Sequence, residues 1–74
     1  MNKYKISYYN SGGYKAKGTL ETEYTIKKEG KDNRLCIFHY DKKIGYEEDI
    51  EKLFLAQLGW HESIMVYDVE LDED

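Results

Sequence analysis

The sequence predicts an α+β domain in which a single helix packs on a small, mostly antiparallel sheet, in the order β-β-(β)-β-α-β. Three observations carry that expectation. Apolar residues recur at every second position between residues 3 and 26, the period of a half-buried strand. At Gly45 the spacing changes to that of a helix, and past Trp60 a strand-like run returns. With 74 residues, no proline and no internal repeat, the chain reads as one domain over residues 1–74.

In Lys3–Tyr9 the residues Tyr4, Ile6 and Tyr8 alternate with Lys3, Lys5 and Ser7, and Asn10-Ser11-Gly12-Gly13 follows as a hairpin loop. Tyr14, Ala16, Gly18, Leu20, Thr22, Tyr24 and Ile26 then keep one parity, either as one long strand bent at Gly18 or as two strands. The cluster Glu29–Asn33 marks the next turn. Arg34–Tyr40 has β-formers on both parities, as expected of a central strand covered on two sides. Ile50, Leu53, Phe54 and Leu58 form one stripe of a helix from about Tyr46 to Leu58, and Gly59 suits the left-handed residue that ends it. A last strand, Ser63–Leu71, sets Met65, Tyr67, Val69 and Leu71 on one parity against Ile64, Val66, Asp68 and Glu70, pairing at an edge or between earlier strands. Residues 72–74 read as a frayed acidic tail.

The longest apolar run is Leu53–Ala56, and Met1–Lys5 leads into no apolar signal core, so neither export nor membrane insertion is expected. A single cysteine excludes an internal disulfide and points to the reducing cytoplasm.

The net charge of -4 conceals a division: residues 1–43 sum to +5 and residues 44–74 to -9. Glu47 and Glu51 stand one helical turn apart, about 6 Å along the axis. Asp68, Glu70 and Asp72 share one strand face at a pitch of about 6.7 Å. Like charges at these spacings weaken folding, a cost that solubility alone does not demand. Two such rows, with Glu48 and Asp49 in the first helical turn and with Tyr46 and Trp60 as aromatic anchors, suit a larger basic protein, in particular a nucleic-acid-binding groove.

Lys3, Lys5, Tyr9, Lys15 and Lys17 form the alternative site, a cation and ring combination of the kind that binds single-stranded nucleic acid. Direct binding through the acidic half is not expected, since phosphates require Lys or Arg. A homo-oligomer joined through an exposed strand edge is a third possibility.

Cys36, His39 and His61 are the only soft metal ligands; Cys36 and His39 have opposite strand parity, so no metal site is expected. The carboxylates lie in polar runs without the apolar pocket a general acid needs, and the sequence points to neither a catalytic role nor a cofactor. A short, Lys- and Tyr-rich chain with one acidic helix, the Leu58-Gly59-Trp60 exit and an acidic end resembles the small phage-encoded anti-CRISPR and anti-restriction proteins. That resemblance implies a non-catalytic inhibitor that blocks a nucleic-acid-binding or regulatory surface of a larger enzyme of the bacterial host.

Overall fold

The computed structural model describes residues 1–72. Alternation of Tyr4, Ile6 and Tyr8 with polar residues makes β1 (Asn2–Tyr9), with those three side chains buried. The Asn10 side-chain carbonyl accepts the N–H groups of Gly12 and Tyr14 at 2.9 and 3.0 Å and so closes the loop that follows. β2 (Lys15–Thr22) returns antiparallel, with Tyr9 opposite Lys15 and Asn2 opposite Thr22. The chain breaks at Glu23 and Tyr24 rather than at Gly18, and continues as β3 (Thr25–Glu29) in a second sheet. Gly18 is therefore no bend. It sits within β2 beneath the helix, where an added Cβ would fall 2.5 Å from the Phe54 ring.

β4 (Arg34–His39) is the central strand of the second sheet, with Leu35 to Phe38 all buried, as its two apolar parities require. Leu35 and Ile37 join the core. On the opposite face the Phe38 ring lies 5.3 and 6.0 Å from the ammonium groups of Lys27 and Lys43. Lysine stems, rather than a further layer of structure, thus shield that face. The structure adds a strand ahead of the helix, β5 (Lys42–Tyr46), joined to β4 by a tight turn in which Tyr40 and Asp41 both have positive φ, 51° and 65°. Its five residues contain a register shift and are mostly exposed, so no alternation announces it.

α1 (Glu47–Leu58) buries Ile50 and Phe54, with Leu53 and Leu55 half-buried beside them. Phe54 meets Tyr8 edge-on at 5.3 Å. Leu58 departs from the expected stripe: it is exposed, as is every residue from Ala56 to Trp60, because the last turn overhangs the core. Gly59 ends the helix at φ 70°, with its N–H donating to Ala56 O and the Trp60 N–H to Leu55 O.

β6 (Met65–Leu71) pairs with β1, so the sheets have the orders β2-β1-β6 and β3-β4-β5, and the protein is α+β with one helix and two small antiparallel sheets. A bulge interrupts β6, since Tyr8 faces Val66 but Ser7 faces Asp68, leaving Tyr67 without an opposite residue. The extra residue reverses parity. Ile64, Val66 and Val69 are buried, whereas Met65 and Tyr67, expected on the side of Val69, are exposed. Asp72 does not fray: its N–H donates to Lys3 O at 2.8 Å. The rest of the expected tail, residues 73 and 74, lies outside the described residues.

Polar side chains tie the two sheets together and guard their edges. The buried Tyr4 hydroxyl accepts the Ile26 N–H at 3.0 Å, and Asn2 Nδ2 donates to Tyr24 O at 2.9 Å. Gln57 acts on β2 as a partner strand would: Nε2 donates to Thr19 O and Oε1 accepts the Glu21 N–H, both at 2.8 Å. Among the described residues no helix is long and apolar enough to cross a membrane.

Candidate functional site

The acidic residues of the first helical turns are neighbours of a helix N-terminus, where negative charge is stabilising by about 0.3–1 kcal/mol each. Three of the four also have specific tasks. Asp49 accepts the Tyr46 N–H at 3.1 Å and so caps the helix. Glu47 Oε2 accepts from Arg34 Nε at 3.4 Å, while the Arg34 guanidinium lies 3.7 Å from the centre of the Tyr46 ring. Glu51 Oε2 accepts the Val66 N–H of β6 at 2.8 Å and so covers that strand's free edge. Glu48 is exposed.

Burial pushes the Glu51 carboxyl above its ordinary 4.5, the Val66 N–H pulls it back down, and Glu47 and Glu48 add to the rise. A carboxylate raised in the folded state binds more protons there than in the unfolded chain, so this group's contribution to stability falls as pH climbs from 4.5 through the raised value. Glu51→Gln keeps a carbonyl acceptor for Val66 and loses the titration. Across that pH window the melting temperature of the wild type is expected to fall relative to the variant; parallel profiles in thermal melts from pH 4 to 7 would contradict the assignment.

The β6 acids stand elsewhere. Glu70 follows buried Val69 and is exposed, directly opposite Lys5, and Asp68 is opposite Ser7. Lys28 Nζ meets Asp68 Oδ1 at 2.6 Å, and this hydrogen bond, with the Asp68 charge, holds the lysine above its ordinary 10.5. The helix packs on the opposite, inner face of the same sheet through Tyr8 and Gly18. The two carboxylate rows therefore lie on opposite sides of the sheet, and the β6 row is interleaved with cations from the basic half.

The outer face of the β2-β1-β6 sheet carries Lys3, Lys5, Lys15, Lys17 and Tyr9 together, because Tyr9 is opposite Lys15 and Ser7 opposite Lys17. Tyr9 packs against Tyr67 with ring centres 4.9 Å apart. Trp60 and Tyr46 are 42% and 37% exposed, in separate places: Trp60 follows the overhanging helix end, whereas Tyr46 lies under Arg34. Cys36 is buried with its Sγ 3.5 Å from Arg34 O, His39 is flanked by the rings of Tyr24 and Tyr40, and His61 is exposed. Among the described residues no group of three or more His, Cys, Asp or Glu is placed to hold a metal ion.

Where surface relief concentrates is the beginning of β6. One groove runs between Glu47, Glu51, Met65 and Tyr67, with Asp32 from the turn after β3. A second lies between Glu48, Glu51, Glu62 and Ile64. A third joins Tyr9 to Ser63 and Met65. Met65, 63% exposed, and Tyr67, 42% exposed, thus form with Tyr9 an apolar patch with carboxylates on its helix side. Sequence reasoning missed Met65, Tyr67, Glu62 and Asp32 as surface partners of the helix acids, since only the bulge turns the first two outward. Comparisons with protein-family models, curated proteins and solved structures return no match. The functional reading rests on this surface.

Proposed function

We propose that the protein is a non-catalytic binder of a basic protein surface, an inhibitor of the sort that the small phage-encoded anti-CRISPR and anti-restriction proteins represent, acting in the bacterial cytoplasm. The observation that supports this reading is the Met65, Tyr67 and Tyr9 patch with Glu47, Glu48, Glu51 and Glu62 along one side. An exposed methionine and two tyrosines with a charged border have the composition of an interface centre and its rim. The carboxylates select a Lys- and Arg-rich partner and speed its approach, and the apolar centre slows its release. A groove that normally holds nucleic acid offers such a surface. Asp68 and Glu70 lie across the sheet among lysines and are not part of this contact.

The test is capture from bacterial lysate at low and high salt, with nucleic acid as competitor. Glu47→Lys, Glu48→Lys and Glu62→Lys together leave Asp49 and Glu51, which hold the fold, in place. The triple variant is expected to keep its circular dichroism and to associate with the captured protein on the order of tenfold or more slowly. Undiminished, salt-insensitive capture by that variant would sink the charge mechanism.

One observation favours a second reading: the four lysines and Tyr9 do share a sheet face. Affinity for a single-stranded oligonucleotide that falls with rising salt, and that is lost in Lys3→Ala, Lys5→Ala, Lys15→Ala and Lys17→Ala combined, is its signature. Glu70 opposite Lys5 and Asp68 beside it stand in the path of a phosphate backbone, which is why protein binding is preferred.

A further inference from the structure

The four sheet edges of this protein are not treated alike. Gln57 clamps β2 at Thr19 and Glu21, Glu51 covers β6 at Val66, and β3 is closed against the first sheet by the Tyr4 hydroxyl and the Lys28–Asp68 ion pair. β5 is the exception. Its backbone receives the Asp49 carboxylate at Tyr46, where the helix begins, and among the described residues no side chain reaches Lys42 to Ile44 in the same way. Beside that strand lies an apolar groove of about 300 Å³, with Ile37, Ile44, Leu53 and Ala56 in its walls and Tyr24 at one side. Ile44 is 48% exposed there, an aliphatic side chain on an unclamped edge strand.

We propose that β5 is a homodimer interface, at which two copies of this chain pair antiparallel about a two-fold axis through Ile44. The strand is complementary to itself in that register. Ile44 meets Ile44 of the partner, Lys42 comes opposite Tyr46, and Lys43 comes opposite Gly45, so neither lysine faces its own copy and Lys42 gains an aromatic neighbour. Lysines on a short edge strand ordinarily deter pairing, but they repel only partners that present cations at the same positions. A two-fold axis places both grooves on the same face of the joined sheet, so that the two Ile44 side chains cover the apolar walls together. The joined second sheets would then form one of six strands, flanked by two helices. This assembly uses a surface separate from the Met65 and Tyr67 patch, and its test reads mass and crosslinking without any partner.

Sedimentation equilibrium at micromolar concentration is expected to give twice the 8.8 kDa of one chain, and Ile44→Lys, which sets two cations together at the axis, to give the single mass. The register is read by cysteine pairing. With Cβ atoms about 5 Å apart at the axis, Ile44→Cys is expected to form a disulfide-linked dimer under mild oxidation. Lys42→Cys, whose two copies are separated by four residues along the paired strands, is expected not to do so, and native Cys36 is buried and stays silent. A wild type that remains a monomer up to millimolar concentration overturns the proposal. So does a dimer that Ile44→Lys leaves intact, or one in which Lys42→Cys crosslinks as readily as Ile44→Cys.

Discussion

Phe54→Ala is expected to abolish cooperative folding. The ring is 1% exposed, stands edge-on to Tyr8 and rests on the backbone of Gly18, so it is the chief contact between the helix and the β2-β1-β6 sheet. Removing a buried phenylalanine costs about 3–5 kcal/mol, and a core this small rarely supplies more than about 3–5 kcal/mol in total. The stability of the whole domain is therefore comparable with the loss. Leu53→Ala is the informative companion, because Leu53 is only half-buried at the groove beside β5 and its truncation is expected to lower the melting temperature without removing the transition. Thermal melts followed by far-ultraviolet circular dichroism separate the two. A sharp transition in Phe54→Ala would mean that the helix is anchored by something other than this ring.

Gly18→Val is expected to be nearly as damaging, although valine favours strands. The backbone at Gly18 does not require glycine's conformational freedom; space does, since an added Cβ falls 2.5 Å from the Phe54 ring tip and 3.2 Å from the next ring carbon. Forcing extra atoms into a packed site costs about 1–3 kcal/mol, here added to a domain with little to spare. The cause can be isolated with the smaller substitution. Gly18→Ala should be destabilising in the wild type but much less so in a Phe54→Leu background, with a coupling above about 0.5 kcal/mol in a double-mutant cycle. Equal effects in both backgrounds would show that residue 18 matters for the strand itself rather than for the ring above it.

The same pair of residues shows how far local pattern carries. A glycine within an alternating run reads as a bulge or bend, because sequence reports backbone permissiveness and is blind to what packs overhead. The break came instead at Glu23 and Tyr24, where the chain passes from one sheet to the other. The first helical turn is a similar case. Its acids were legible as a charge cluster, yet Glu51 is engaged by Val66, Glu47 by Arg34 and Asp49 by the Tyr46 N–H, so only part of the cluster is available to a partner.

What the sequence determined by itself was whatever depends on residues close along the chain: β1 from its alternation, β4 from apolar residues on both parities, the helix from its stripe, and its end from Gly59 in the left-handed region. These follow from steric and solvation preferences that act over a few residues. Tertiary structure alone decided which charges meet, as in Lys28 with Asp68, which strand edges are clamped, and which side of β6 faces out. A single extra residue opposite Ser7 and Tyr8 reverses the strand's parity, and so brings Met65 and Tyr67 to the surface while Val69 goes to the core. The position of such a bulge is set by the pairing of β6 with a strand about sixty residues earlier, and no period read along β6 contains it.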